Sequence, residues 1–138
     1  MDVVEIKSSE GAVRLVLSNP EPSDREPDYF VATVEDAGLR ASARVYAYGA
    51  SGIAALFEDV AANWRGWEGE KTGGTVEGDL CLTCTSDRLG HTFVRVEISS
   101  GPYDHDWRAE ATIRLDAVQL DEVAQSLRRF FRPEHRAV

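Results

Sequence analysis

Lysine is almost missing from this chain: two against thirteen arginines. There is one methionine, and only two cysteines. No apolar run approaches the roughly 20 residues of a membrane span, which excludes a helical span. The start, Met1-Asp2-Val3-Val4-Glu5, has neither a basic nor an apolar leader segment, so no signal peptide is expected and the cytoplasm is the expected compartment. Nucleic acid is an unexpected partner, because phosphate binding needs clustered lysine and arginine. Here the net charge is −9 and the arginines are scattered among acids. Acidic membrane surfaces should repel the chain for the same reason. Arginine in place of lysine, with plentiful alanine, is the usage of a GC-rich bacterial genome. What acidity admits is a basic protein partner, or solubility alone.

At 138 residues the chain reads as one domain over 1–132 with a frayed tail over 133–138. A chain this long buries about 65–70% of its unfolded surface, enough for one core. Its hydrophobic period changes repeatedly. Val3–Ile6 and Val13–Leu17 read as short strands joined by a turn at Glu10-Gly11. The segment from Asn19 to Asp28, with three prolines and several acids, reads as an exposed loop. Tyr29–Val34 and Leu39–Tyr48 follow as strands, the second with Leu39, Ala41, Ala43, Val45 and Ala47 inward. Those small residues require a bulky complement. A helix carrying Ile53, Leu56, Phe57, Val60 and Trp64 is expected to supply it, capped by Ser51 and closed at Gly66.

Lys71–Thr75 reads as a flexible connector, and three strands follow at Val76–Thr85, His91–Ile98 and Trp107–Leu115. A last helix starts at Asp116 with Gln119 in capping-box position, presents Leu120, Val123, Ala124, Leu127 and Phe131, and stops at Pro133. The expected fold is α+β: a curved antiparallel sheet of about seven strands in the order ββββ-α-βββ-α, with two helices packed on one face.

Cys81 and Cys84 have CxxC spacing, but positions three apart in a strand point to opposite faces. Their Cα atoms would lie about 10 Å apart, beyond the roughly 7 Å limit for a disulfide. Zinc would need further ligands, and no other cysteine exists. Cys84 is therefore expected in the core and Cys81 at the surface. Asp104-His105-Asp106 offers acid–base groups, with His91 one hairpin away. The strand between them separates the two by more than about 20 Å. Tyr48-Gly49-Ala50-Ser51-Gly52 lacks the P-loop lysine, and no serine has a nucleophile-elbow context. No catalytic residue, metal ligand or cofactor is assigned. The candidate partner-binding residues are Tyr46, Tyr48, Trp67, Glu68, Tyr103, Asp104 and Asp106: large amphipathic rings with acidic neighbours.

The blocks Ala41–Ala50, Phe57-Glu58-Asp59, Trp64–Glu70, Gly78-Asp79-Leu80, Leu89-Gly90-His91, Gly101-Pro102-Tyr103 and Asp106-Trp107-Arg108, with a final helix led by Leu120, resemble a family of small bacterial domains without assigned function, over about residues 28–131. In element order and in the Leu-Gly-His turn that family is distantly similar to WapI-type immunity proteins, which protect a cell from its own toxin. Neither resemblance implies a catalytic residue, and the cysteine pair departs from the family pattern. The expectation is a non-enzymatic protein-binding module, monomeric or homodimeric, that resembles an immunity inhibitor of a basic toxin. Two alternatives stand beside it: a small-molecule-binding or hydrolytic domain using the concave side of the sheet, and an accessory dimerisation subunit.

Overall fold

The computed structural model describes residues 2–21 and 28–131. Its elements are β1 (Val4–Lys7), β2 (Arg14–Ser18), β3 (Tyr29–Asp36), β4 (Leu39–Tyr46), α1 (Gly52–Ala62), β5 (Lys71–Gly74), β6 (Leu80–Ser86), β7 (His91–Ser99), β8 (Arg108–Asp116) and α2 (Ala117–Phe131). The fold is α+β, but the seven-stranded single sheet expected from the sequence is corrected. Eight strands form two four-stranded antiparallel sheets, β1-β2-β3-β4 and β5-β6-β7-β8, each in chain order.

The added strand is Lys71–Gly74, where two glycines suggest a flexible connector. They are there for close approach. A Cβ on Gly73 would lie 3.1 Å from Leu56 Cδ2 of α1, and one on Gly74 would lie 2.3 Å from the Leu80 carbonyl oxygen. Glycine lets helix and turn come this near the backbone. Thr72 and Thr83 are cross-strand partners, as are Lys71 and Cys84.

The two sheets share one core. Ile6, Leu15, Leu17 and Phe30 from the first, with Leu82, Val94, Val96 and Leu115 from the second, are buried together with the apolar stripes of both helices. Phe30 meets Phe130 and Phe131 edge to face, at 5.7 and 5.5 Å between centroids. The helices pack on each other, α1 also against β5 and α2 against β1 and β8. The expected complement of β4 is therefore corrected: it is β7, not α1, that lies across from β4.

Helix α1 stops at Ala62, earlier than its apolar spacing predicts. The Asn63 side-chain amide donates back to the Asp59 carbonyl at 2.9 Å and to Asp59 Oδ1 at 3.0 Å, and its backbone leaves the helix at φ −112°. Trp64 is consequently 45% exposed rather than inward-facing. Ser51 holds the N-cap position without a side-chain cap bond. Gly66 (φ +138°) does not close the helix. It lets the chain pass over the 86–88 turn, where a Cβ would meet Arg88 Cα at 2.8 Å.

Helix α2 starts as its sequence predicts: the Asp116 amide donates to Gln119 Oε1 at 2.8 Å. Leu120, Val123, Ala124, Leu127 and Phe131 are buried, joined by Phe130. Most of the Pro-rich part of the loop expected between Asn19 and Asp28, the stop at Pro133 and the tail over 133–138 lie outside the described residues.

Candidate functional site: an aromatic row on an open sheet face

The second sheet covers the inner side of β3 and β4, and α2 packs against β1, so the outer side chains of β3 and β4 face away from the shared core. Tyr29 and Tyr46 are cross-strand partners. Their rings lie 5.4 Å apart at 51°, and Tyr46 stacks on Tyr48 at 6.2 Å and 14°. Arg44 lays its guanidinium over Tyr29 at 3.8 Å from the centroid. The same guanidinium donates twice to Glu21, at 2.5 and 2.9 Å. This fork holds the Glu21 carboxyl below the usual range and raises Arg44. Two cross-strand rings and a clamped cation thus form a fixed platform, from which Tyr48 projects at 69% exposure. Further along the same face, Arg14 pairs with Glu5 and Glu35, and Glu35 also meets Arg40.

The other candidates fall into two separate groups. Trp67 is half-buried against the core, with its indole N–H donating to the Gly69 carbonyl at 3.1 Å. Lys71 Nζ sits 5.5 Å from its ring and 2.8 Å from Asp59 Oδ2. Glu68 pairs with Arg88 at 3.2 Å. Tyr103 is exposed and stacks on His105, with ring planes 3° apart. Asp106 ties its own loop, accepting the Tyr103 amide at 2.8 Å and the Ser100 hydroxyl at 3.1 Å. Asp104 is exposed. Among the described residues, no hydrogen bond, ion pair or ring contact joins these groups to the tyrosine row.

His91 and the 104–106 loop stand at opposite ends of the β7–β8 pair, where His91 faces Asp116 and Ser99 faces Arg108. The sequence reading missed the real neighbours of His91. Its Nδ1 lies 2.6 Å from Asp87 Oδ2, and its Nε2 lies 4.0 Å from Asp116 Oδ1. A carboxylate only accepts, so Nδ1 carries the proton. Asp87 also accepts the amides of Leu89 and His91 at 2.7 and 3.2 Å, which fixes a turn with Arg88 at φ +62°. Burial pushes the Asp87 carboxyl up, but the His91 and backbone hydrogen bonds outweigh it and hold the group below its ordinary value. No hydroxyl or thiol nucleophile is hydrogen-bonded to His91 among the described residues. The cluster therefore reads as a lock on the β6–β7 turn.

Cys81 and Cys84 are free, on opposite faces of β6. Burial pushes the Cys84 thiol up to about 12. Cys81 is raised by burial, then by Glu97 and Asp79, across a cleft of about 220 Å³ that Glu97, Arg108 and Glu110 also line. Arg108 opposes that shift at Cys81 but is outweighed, so neither thiol is poised as a reactive thiolate. Among the described residues no group of three or more histidines, cysteines and carboxylates could hold a metal ion. Among the described residues no helix is long and apolar enough to cross a membrane.

Tyr29 is the functional candidate the sequence reading passed over. Phe30, Ala32 and Val34 point inward, so Tyr29 points outward, and counting back from the Asp36–Leu39 turn sets it opposite Tyr46. The chain belongs to a family of unknown function (DUF6228), whose model matches residues 6–134. No curated protein and no solved structure matches it.

Proposed function

We propose that the protein is a non-enzymatic protein-binding module whose contact surface is the outer face of the first sheet around Tyr29, Tyr46 and Tyr48. The carrying observation is the tyrosine row itself: three amphipathic rings on an uncovered face, ordered before any partner arrives. Preordered rings lose little rotamer entropy on binding, and tyrosine and arginine are enriched among residues that dominate interfaces. At finer grain we read the module as an immunity-like inhibitor of a basic toxin, acting in the cytoplasm. The net charge of −9 supports a basic partner, and two unpaired thiols fit a reducing compartment. No observation favours a hydrolytic or small-molecule site on the inner side of the sheets. That space is filled by Leu15, Leu17, Phe30, Val94 and Phe131.

Where a toxin-like reading frame lies beside the gene, the test is co-expression of the two in a sensitive host. Rescue of growth and a co-purifying complex are expected. Growth arrest with the protein present, and no complex, overturns the immunity reading.

A further inference from the structure

Each four-stranded sheet has two edges, and the described residues treat them differently. The edges of β1 and β8 meet each other: the Ser9 amide donates to the Arg114 carbonyl at 2.8 Å, and the Arg114 amide donates to the Ser8 hydroxyl at 3.0 Å. The β5 edge is four residues long and lies under α1. The β4 edge is eight residues long, without proline, and among the described residues its outward backbone groups meet no hydrogen-bond partner. The Ala47 amide bonds the Asp28 carbonyl next to β3. Alternation along an antiparallel ladder then turns Leu39, Ala41, Ala43 and Val45 toward β3 and leaves the amides and carbonyls of Arg40, Ser42, Arg44 and Tyr46 pointing outward. The side chains report the same opening. Ala32 and Val34 of β3 are fully covered, while their cross-strand partners Ala43 and Ala41, and Leu39 beside them, stay partly exposed.

We propose that this edge pairs with the β4 edge of a second copy of the chain, antiparallel about a two-fold axis at Ala43, making one continuous eight-stranded sheet across the dimer. The side chains select this register. With the axis at Ala43, Arg40 lies opposite Tyr46 of the second copy and Ser42 opposite its Arg44. On the inner side Ala41 meets Val45, and Leu39 meets Ala47. An axis at Ser42 would set Arg40 against Arg44, and an axis at Arg44 would set two arginines together; like charges directly opposite are destabilising. A net charge of −9 on each copy does not prevent the contact. The edge is locally neutral, because Arg40 is paired with Glu35 and Arg44 with Glu21. More distant charges are screened beyond about 8 Å at physiological salt. Pairing supplies partners to the outward groups of all four residues, and it covers the apolar row that one copy leaves half open.

The assay uses the full chain alone, so its outcome is independent of any toxin partner. Light scattering over a rising concentration series is expected to reach twice the 15.2 kDa monomer mass. Ser42→Pro, which removes one outward amide, should return the monomer. Ala43→Cys, in a Cys81→Ser background, keeps the edge intact and tests the register. Across a non-hydrogen-bonded pair the two Cα atoms lie about 4.5 Å apart, within the range a disulfide spans. Mild oxidation should therefore link the dimer through Ala43→Cys and leave Ser42→Cys unlinked. A monomer at every concentration overturns the proposal. So does a dimer whose mass survives Ser42→Pro and that gives no Ala43→Cys disulfide.

Discussion

Leu56 Cδ2 lies 3.1 Å from the point where a Cβ on Gly73 would be, so the side chain of one element fills the space left by the missing side chain of another. This contact explains why a Lys-Thr-Gly-Gly segment is a strand rather than a tether. Gly73→Val should cost about 1–3 kcal/mol through overpacking against α1. Urea unfolding, compared at equal m-value, checks it; an unchanged midpoint would mean that α1 does not rest on β5.

Asp87 gives the turn at 87–90 its pH dependence. Its carboxyl is held below the ordinary value in the folded chain, so it contributes stability that is fully present above the unfolded carboxylate pKa of about 3.9 and is lost as pH falls through the lower folded value. Asp87→Asn should lower the urea midpoint at neutral pH, and the gap to wild type should shrink as the pH drops through that window. A gap that stays constant would contradict the assigned role.

The thiols make a separate prediction. With its thiol pushed up to about 12 and no exposure, Cys84 should resist alkylation at neutral pH in the native protein. Cys81 should react slowly, and denaturation should expose both. Mass spectrometry after timed iodoacetamide treatment counts the adducts. Two fast native adducts, or a Cys81–Cys84 disulfide, would mean that β6 is not a strand.

Much of this was legible in the chain. Alternation placed β3, β4, β6, β7 and β8 near their observed positions, and the opposite faces of Cys81 and Cys84 followed from a period of two. The capping pair Asp116 and Gln119 marked the start of α2. Two differences share a cause: sequence alone points to conformational freedom at glycines 66, 73 and 74, whereas the close approach of Arg88, Leu56 and Leu80 leaves little room for a Cβ at any of them, and of the three only Gly66 also needs a positive φ. Period alone also does not tell one sheet from two. That depends on whether β4 and β5 pair, and the α1 segment between them is compatible with either. At the candidate site, Tyr46 and Tyr48 fall together because positions two apart share a strand face. Trp67, Glu68, Tyr103, Asp104 and Asp106 came from loops, whose placement no periodicity encodes. Asp106 proved to be a tie within its own loop.

The most direct test of the tyrosine row as the contact surface is calorimetric titration of the proposed basic toxin, once co-expression has identified it, into wild type and Tyr48→Ala. Tyr48 is 69% exposed, so its truncation should leave thermal unfolding unchanged. Affinity should fall at least tenfold, about 1.4 kcal/mol. Equal affinity for the two proteins would contradict the assignment of this face.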